Sequence, residues 1–268
     1  MRHRCVLLCG LLFIAGCARA QIISTPSPVI SGAGGPGTIA APMKTLQVGE
    51  ELEYQISWWG VPVGTVILSV TPAKEEKGLL KLLCQGRSNA YLEAFYPVRV
   101  ELISFVDPNS LSPRKFHAYV KRRWRKHESV ITFDPIQKTA FHQLPKGKSA
   151  TVSVSPTTQD GLSLLYYART LDLRVGQKVP LEVTADGKNW NLTGHIEEVR
   201  MVKLKGVGNW PAVQGTVELT YPVPFFHGAK ASVWFSLDQN RIPLLAKIHS
   251  RIGPVSVVLT KRSKGVSP

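Results

Sequence analysis

The 268-residue chain reads as an all-β protein: a strongly curved antiparallel sheet, or an open barrel-like β domain, with one central helix at about residues 160–170. Three observations carry that reading. Apolar and polar residues alternate at period two along most of the chain. Pro, Gly, Asp and Asn interrupt the runs at short intervals, as turns require. A single stretch breaks to helical spacing.

The elements follow in order. Residues 52–58 place Leu52, Tyr54, Ile56 and Trp58 on one face and Glu53, Gln55 and Ser57 on the other. Residues 65–70 follow Gly60-Val61-Pro62, and Trp59 falls at the turn. Residues 98–106 start after Pro97 and stop at Asp107-Pro108-Asn109, and 128–133 stop at Asp134-Pro135. Strands are expected next at 152–154, 179–184, 190–196 and 199–204, with Ala185-Asp186-Gly187 as a hairpin turn and Gly206-Val207-Gly208 as a hairpin loop. The last third continues with 216–221, 232–237, 244–250 and 255–260. A sheet of this many strands must curl, split or close. The exception is 160–169, where Leu162, Leu165 and Tyr166 share a helical face. Asp160 can accept from the first unpaired N–H groups, and Arg169 suits the C-terminal end of the helix dipole. A helix lying in the concavity of the sheet would cover the apolar face of each.

Several segments together carry a family resemblance. Val48-Gly49-Glu50-Glu51-Leu52-Glu53-Tyr54 followed by Trp58 to Gly64 resembles the opening of the bacterial family catalogued as domain of unknown function 3108. The helix with Leu173-Arg174-Val175-Gly176 after it, and Val233-Trp234-Phe235-Ser236-Leu237-Asp238 leading to Pro243, fit the same pattern. The resemblance implies a secreted or lipidated envelope protein and supplies no catalytic residue.

The N-terminus reads as an export signal over residues 1–16. Met1-Arg2-His3-Arg4 is followed by an uncharged apolar run too short to span a bilayer. Two processing positions compete. Ile14-Ala15-Gly16-Cys17 resembles the lipobox of bacterial lipoproteins, in which Cys17 would carry the lipid and anchor the chain to the membrane. By the same resemblance, Ala18 gives no inner-membrane retention signal, so an outer-membrane anchor facing the periplasm is expected. Ala18-Arg19-Ala20 before Gln21 fits an ordinary signal-peptidase cut, which would leave a soluble periplasmic or secreted protein. Residues 17–45 read as the lipidation Cys and a flexible linker rich in Ser, Thr, Pro, Gly and Ala. A linker of that kind has an r.m.s. span of about 25–30 Å. Residues 46–260 form a single β-rich domain, and 261–268 a basic disordered tail.

The formal net charge is +15. Anionic partners follow: lipid, lipopolysaccharide or another anionic envelope component, with no nucleic-acid motif in the chain. If Cys17 is lipidated, Cys84 is the cysteine left in the domain, expected to be a buried inert thiol. No metal, cofactor or hydrolase motif stands out, and the six His after the signal form no tight pair. Convergence of Asp160, His195 and His249 would be needed to revive a hydrolase. Two local features remain. Lys121, Arg122, Arg123, Arg125 and Lys126 surround Trp124, as an anionic-surface contact or as a charged hairpin blunting a sheet edge. Tyr221, Phe225 and Phe226 belong to an aromatic loop at the mouth of a cavity or plugging a core. The functional expectation is a non-enzymatic module binding a hydrophobic or amphipathic envelope ligand; a structural module contacting envelope proteins or glycans is the alternative. The inside of the sheet discriminates: an empty apolar cavity selects the ligand-binding module, a packed core the structural module with the ribbon near Trp124 as its contact, and a polar cleft the hydrolase.

Overall fold

The computed structural model describes residues 46–144, 147–219, 229–250 and 253–263. Among the described residues, fourteen strands form one sheet. They are β1 Glu51–Trp58, β2 Val61–Pro72, β3 Leu80–Ser88, β4 Val98–Val106, β5 Pro113–Arg122, β6 Arg125–Asp134, β7 Thr139–Leu144 and β8 Lys148–Ser153. After the helical segment come β9 Lys178–Ala185, β10 Lys188–Leu204, β11 Gly208–Leu219, β12 Ala229–Ser236, β13 Pro243–Ser250 and β14 Gly253–Ser263. Helix α1 is Ala90–Glu93 and α2 is Ser163–Ala168. The spatial order runs from β8 back to β1, then β14 back to β9, so the N- and C-terminal strands pair in the middle of the sheet.

Every neighbouring pair is antiparallel. The β1–β2, β3–β4, β5–β6 and β9–β10 connections therefore share one end of the sheet, the upper end. Leu46, where the described chain begins, lies at the lower end with the β2–β3, β4–β5 and β12–β13 connections.

Alternation builds the core. Leu52, Tyr54 and Ile56 of β1 and Val66, Leu68 and Val70 of β2 point inward and are buried. So are Leu82, Cys84, Leu102, Phe116, Ile131, Leu192, Ile248 and Val257 around the rest of the curve, in one continuous cluster. A void wide enough for an acyl chain would leave its lining side chains accessible. The inward residues named here are instead buried, with half-buried Trp58, Val152 and Trp190 packed against them, so the core they form is packed. Exposed positions on the outer face include Gln85, Arg87, Arg99 and Lys115. That polarity is opposite to a membrane-spanning barrel, whose apolar band faces outward.

The sheet does not close by strand pairing, and β8 and β9 are its edges. Shorter contacts cross the seam. Gln159 forms an isolated parallel bridge with Val183, donating to the Glu182 carbonyl and accepting from the Thr184 N–H, both at 2.9 Å. His142 of β7 meets Thr184 of β9, and the Asn189 side chain of β10 donates to the Ser153 carbonyl of β8. The β9–β10 turn lies directly on β8: a Cβ on Gly187 would come within 2.8 Å of Ala150. Asp186 and Gly187 both have positive φ, 49° and 75°, as the expected tight hairpin turn requires.

Helix α2 fills the concavity. Leu162 and Tyr166 face the main core, while Leu165 and Ala168, with Leu171 and Leu173 beyond them, pack on Val179, Ile196, Val213 and Phe235.

Several sequence expectations change. The α-helix is shorter than 160–169, although its hydrogen bonding begins at the Asp160 carbonyl, which accepts from Leu164 N. A second short helix, α1, precedes β4. Strands β3, β5 and β7 add to the expected set. The runs at 190–196 and 199–204 are one strand with a bulge between Ile196 and Val199. A second bulge, between Ile56 and Ser57, buries Ser57 and leaves Trp58 half-buried against the core. Strand β14 continues to Ser263, three residues into the expected tail.

Candidate functional site: a basic and aromatic rim

The β5–β6 hairpin projects the cationic run at the upper end. Its two-residue tip is Arg123-Trp124, with Arg123 in the left-handed region at φ 52°. Strand pairing sets Arg122 opposite Arg125 and Lys121 opposite Lys126. Val120, next along the strand, is inward and buried, so Arg122 and Arg125 follow the interior phase past the rim while Lys121 and Lys126 follow the outer one. Cations thus stand on both faces of the ribbon, as the sequence implied. Trp124 is 77% exposed, and the Arg123 guanidinium lies 3.9 Å from its ring centroid. The ion pairs Arg99–Glu93 and His117–Glu128 flank the tip.

Beside the tip stands α1. Asn89 caps it by accepting from Leu92 N at 3.0 Å and donates its own side-chain N–H to the Pro62 carbonyl at 2.7 Å. Arg99 and then Ser88 hydrogen-bond Glu93 and hold its carboxyl below the usual range. Arg123 N–H donates to the Pro97 carbonyl at 2.8 Å, fastening the tip to the end of this segment. Tyr91, Phe95 and Tyr96 are exposed here, as is Trp59 at the β1–β2 turn, whose indole lies so close over Gly253 that a Cβ would overlap it. Of the six exposed aromatic side chains among the described residues, all but Phe141 sit at this end. Sequence reasoning missed the α1 aromatics. The signal was there: Asn89 as a cap, Tyr91 and Phe95 four apart, and Pro97 as a stop.

The polar groups inside the domain do structural work. Asp160 is fully buried; its Oδ1 accepts from Leu162 N and Ser163 N, both at 2.8 Å, and its Oδ2 from Ser104 Oγ at 2.6 Å. Burial raises its carboxyl above the usual range, against those hydrogen bonds. Arg169, expected to suit the C-terminal end of the helix dipole, is buried. It makes a bidentate pair with Glu50 at 2.7 and 2.8 Å and donates from Nε and Nη2 to the Asn240 carbonyl. Burial opposes its charge, but the Glu50 carboxylate more than offsets this and leaves its pKa raised. The Cys84 thiol is pushed up to about 12 by burial, as suits an inert core residue.

Asp160 is interior whereas His195 and His249 are exposed on the outer face, so these three do not converge. No group of three or more His, Cys, Asp or Glu among the described residues could hold a metal ion. A cleft of about 160 Å³ at the lower end is lined by Arg114, Phe133, Lys138, Ser155 and Thr158, but both hydroxyls already donate to Glu182. Among the described residues no helix is long and apolar enough to cross a membrane. Cys17, Ala20, Gln21, Tyr221, Phe225 and Phe226 lie outside the described residues.

Sheet order, filled concavity and unpaired seam define a barrel-like antiparallel β protein that is not closed into a barrel. Within that class the chain belongs to the family described as Protein of unknown function (DUF3108), whose model matches residues 53–260. No curated protein matches the sequence. The fold is similar to the crystal structure of a beta-barrel-like protein of domain of unknown function DUF1849 from Brucella abortus. The TM-score is 0.56 at 10% identity, over 83% of this chain and 100% of that one. A protein described as exported, with a YmcC-like fold, from Bacteroides fragilis gives a TM-score of 0.35 at 10% identity over 84% of this chain and 100% of its own. A hypothetical protein from Chlamydia trachomatis gives 0.34 at 8% identity, over 85% and 95%.

Proposed function

We propose that this chain is a non-enzymatic envelope module, anchored by lipid on Cys17, that binds anionic amphipathic envelope material on its rim. From sequence, a packed interior favours the structural module with the ribbon near Trp124 as its contact; the present reading keeps the amphipathic envelope ligand and takes that same ribbon as its contact. One observation carries the reading. The tip sets two like-charge pairs directly across the ribbon, Arg122 with Arg125 and Lys121 with Lys126, around an exposed Trp124. Like charges in that position destabilise a hairpin. Sites that break a local rule are expected to be functional, and a cationic ribbon around an exposed aromatic suits an anionic surface. Acidic phospholipid headgroups and lipopolysaccharide offer the complementary charge.

The test uses the Cys17→Ser chain, which carries no lipid of its own, with lipopolysaccharide micelles and vesicles of phosphatidylglycerol in phosphatidylcholine at 0.15 M salt. Lys121→Glu with Arg125→Glu turns both repulsive pairs into attractive ones. The variant should unfold at the same or a higher temperature than wild type yet bind at least tenfold more weakly. Undiminished binding, or a wild type that binds neither probe, defeats the reading. The anchor has its own readout. Cells fed labelled palmitate should label the wild type and leave Cys17→Ser unlabelled; label retained by that variant refutes the Cys17 anchor.

A further inference from the structure

The α1 segment keeps its aromatic side chains in water under constraint. Its backbone is held at several points: Asn89 N–H donates to the Val63 carbonyl at 2.9 Å, and Phe95 and Tyr96 N–H both donate to the Leu92 carbonyl, at 3.1 and 2.7 Å. Leu92 packs on the main core. With that side chain committed inward, the helix turn directs Tyr91 and Phe95 outward. They are 82% and 54% exposed, with their rings edge to face at 6.0 Å. Tyr96 is exposed beside them, and the Arg123–Pro97 hydrogen bond places the cationic tip and Trp124 against this shelf. A loop free to rearrange could turn such rings inward. This one is pinned with them out.

We infer that the α1 shelf and the β5–β6 tip form one footprint that seats in an anionic phospholipid bilayer. The rings of Tyr91, Phe95, Tyr96 and Trp124 enter the boundary between headgroups and acyl chains, where amphipathic aromatics are favoured. Lys121, Arg123, Arg125 and Lys126 stay level with the phosphates, their stems lying along the apolar layer. The inference rests on the proposed anionic contact of the tip and adds the nature of the partner. A soluble polyanion would satisfy the cations and leave the aromatic shelf in water. A second copy of this chain would bring the same cations face to face. A bilayer meets both halves of the footprint.

Tyr91→Ala with Phe95→Ala tests it, in the Cys17→Ser chain so that no lipid anchor contributes; that chain is the wild type of the comparison. The probes are vesicles of about 30% phosphatidylglycerol in phosphatidylcholine and, as a polyanion without acyl chains, heparin. The double variant should bind vesicles about tenfold more weakly and heparin as the wild type does, the latter also showing that it is folded. Vesicles with brominated acyl chains should quench wild-type tryptophan emission, and a Trp124→Phe variant should lose most of that quenching. Vesicle binding that survives loss of both rings overturns the footprint, even where Lys121→Glu with Arg125→Glu abolishes binding and the tip contact stands. A wild type that binds heparin but not vesicles overturns it as well.

Discussion

Arg169 and Glu50 lie 119 positions apart in the chain and meet at 2.7 Å with almost no exposure. Charges this deep are tolerated only because each answers the other and the Asn240 carbonyl takes two further guanidinium hydrogens. The pair joins three places at once: the segment before β1, the end of α2 and the β12–β13 turn. Removing one partner strands the other, at a cost of about 3–5 kcal/mol. Removing both leaves no stranded charge. Arg169→Met and Glu50→Leu should therefore each lower stability by roughly that amount in urea titrations. The double variant should lose little more than either single one, giving a coupling of several kcal/mol. Additive losses would mean that the two side chains act independently, contrary to the geometry. Asp160 is a milder case of the same logic, since all its donors come from nearby N–H groups and Ser104.

At the scale of elements the seam between β7–β8 and β9–β10 is the distinctive joint, and His142 is its pin. Gly187 N–H donates to Nδ1 at 3.2 Å, so Nε2 carries the ring proton and donates to Thr184 Oγ1 at 2.9 Å. Burial lowers the His142 pKa from 6.5 to about 4. The unfolded chain therefore binds this proton more readily than the folded one. The stabilisation is whole above the unfolded value and is lost as pH falls from about 6.5 to about 4, on the order of 3 kcal/mol in all. A proton on Nδ1 also removes the acceptor that holds the β9–β10 turn. The midpoint of thermal unfolding should fall across that window in wild type and vary less in His142→Gln; parallel profiles would rule out this residue as the source. The same joint explains what the sequence concealed. Strand β1 was legible because Leu52, Tyr54 and Ile56 alternate with polar residues. Strand β7 was not, because its inward positions are Ala140 and His142 while Phe141 faces out. In β5 the inward set Phe116, Ala118 and Val120 does alternate, but the cations that follow it drew attention to charge. The bulge in β10 resets the phase and makes one strand read as two. The cationic tip was visible in full, whereas its aromatic neighbour depends on a short capped helix too brief for periodicity to reveal.

Across the whole molecule, the two terminal strands join the halves of the sheet on one side, and a plug fills the concavity on the other. β1 and β14 pair with Glu51 beside Ser263, so the described chain begins and ends at neighbouring points of the lower end. The opposite side has no such ladder: β8 and β9 are edges, and the segment between them crosses the seam at Gln159 and then fills the concavity with α2. Chain continuity should therefore matter far more at α2 than at a hairpin. Two circular permutants test this, both joining Ser263 to Leu46 through a flexible linker of about eight residues. One opens in the exposed β2–β3 connection between Glu76 and Lys77, a surface turn where new termini are tolerated. The other opens between Gly161 and Leu162, which severs the backbone between Asp160 and the helix it organises. The first should keep the wild-type circular dichroism and unfold within several degrees of it. The second frees the plug to leave, exposing Leu162 and Tyr166 with the inner face they cover, and should melt far lower and bind a hydrophobic dye. If both permutants melt alike, the seam is sealed by its edge contacts alone and α2 merely occupies the space it was given.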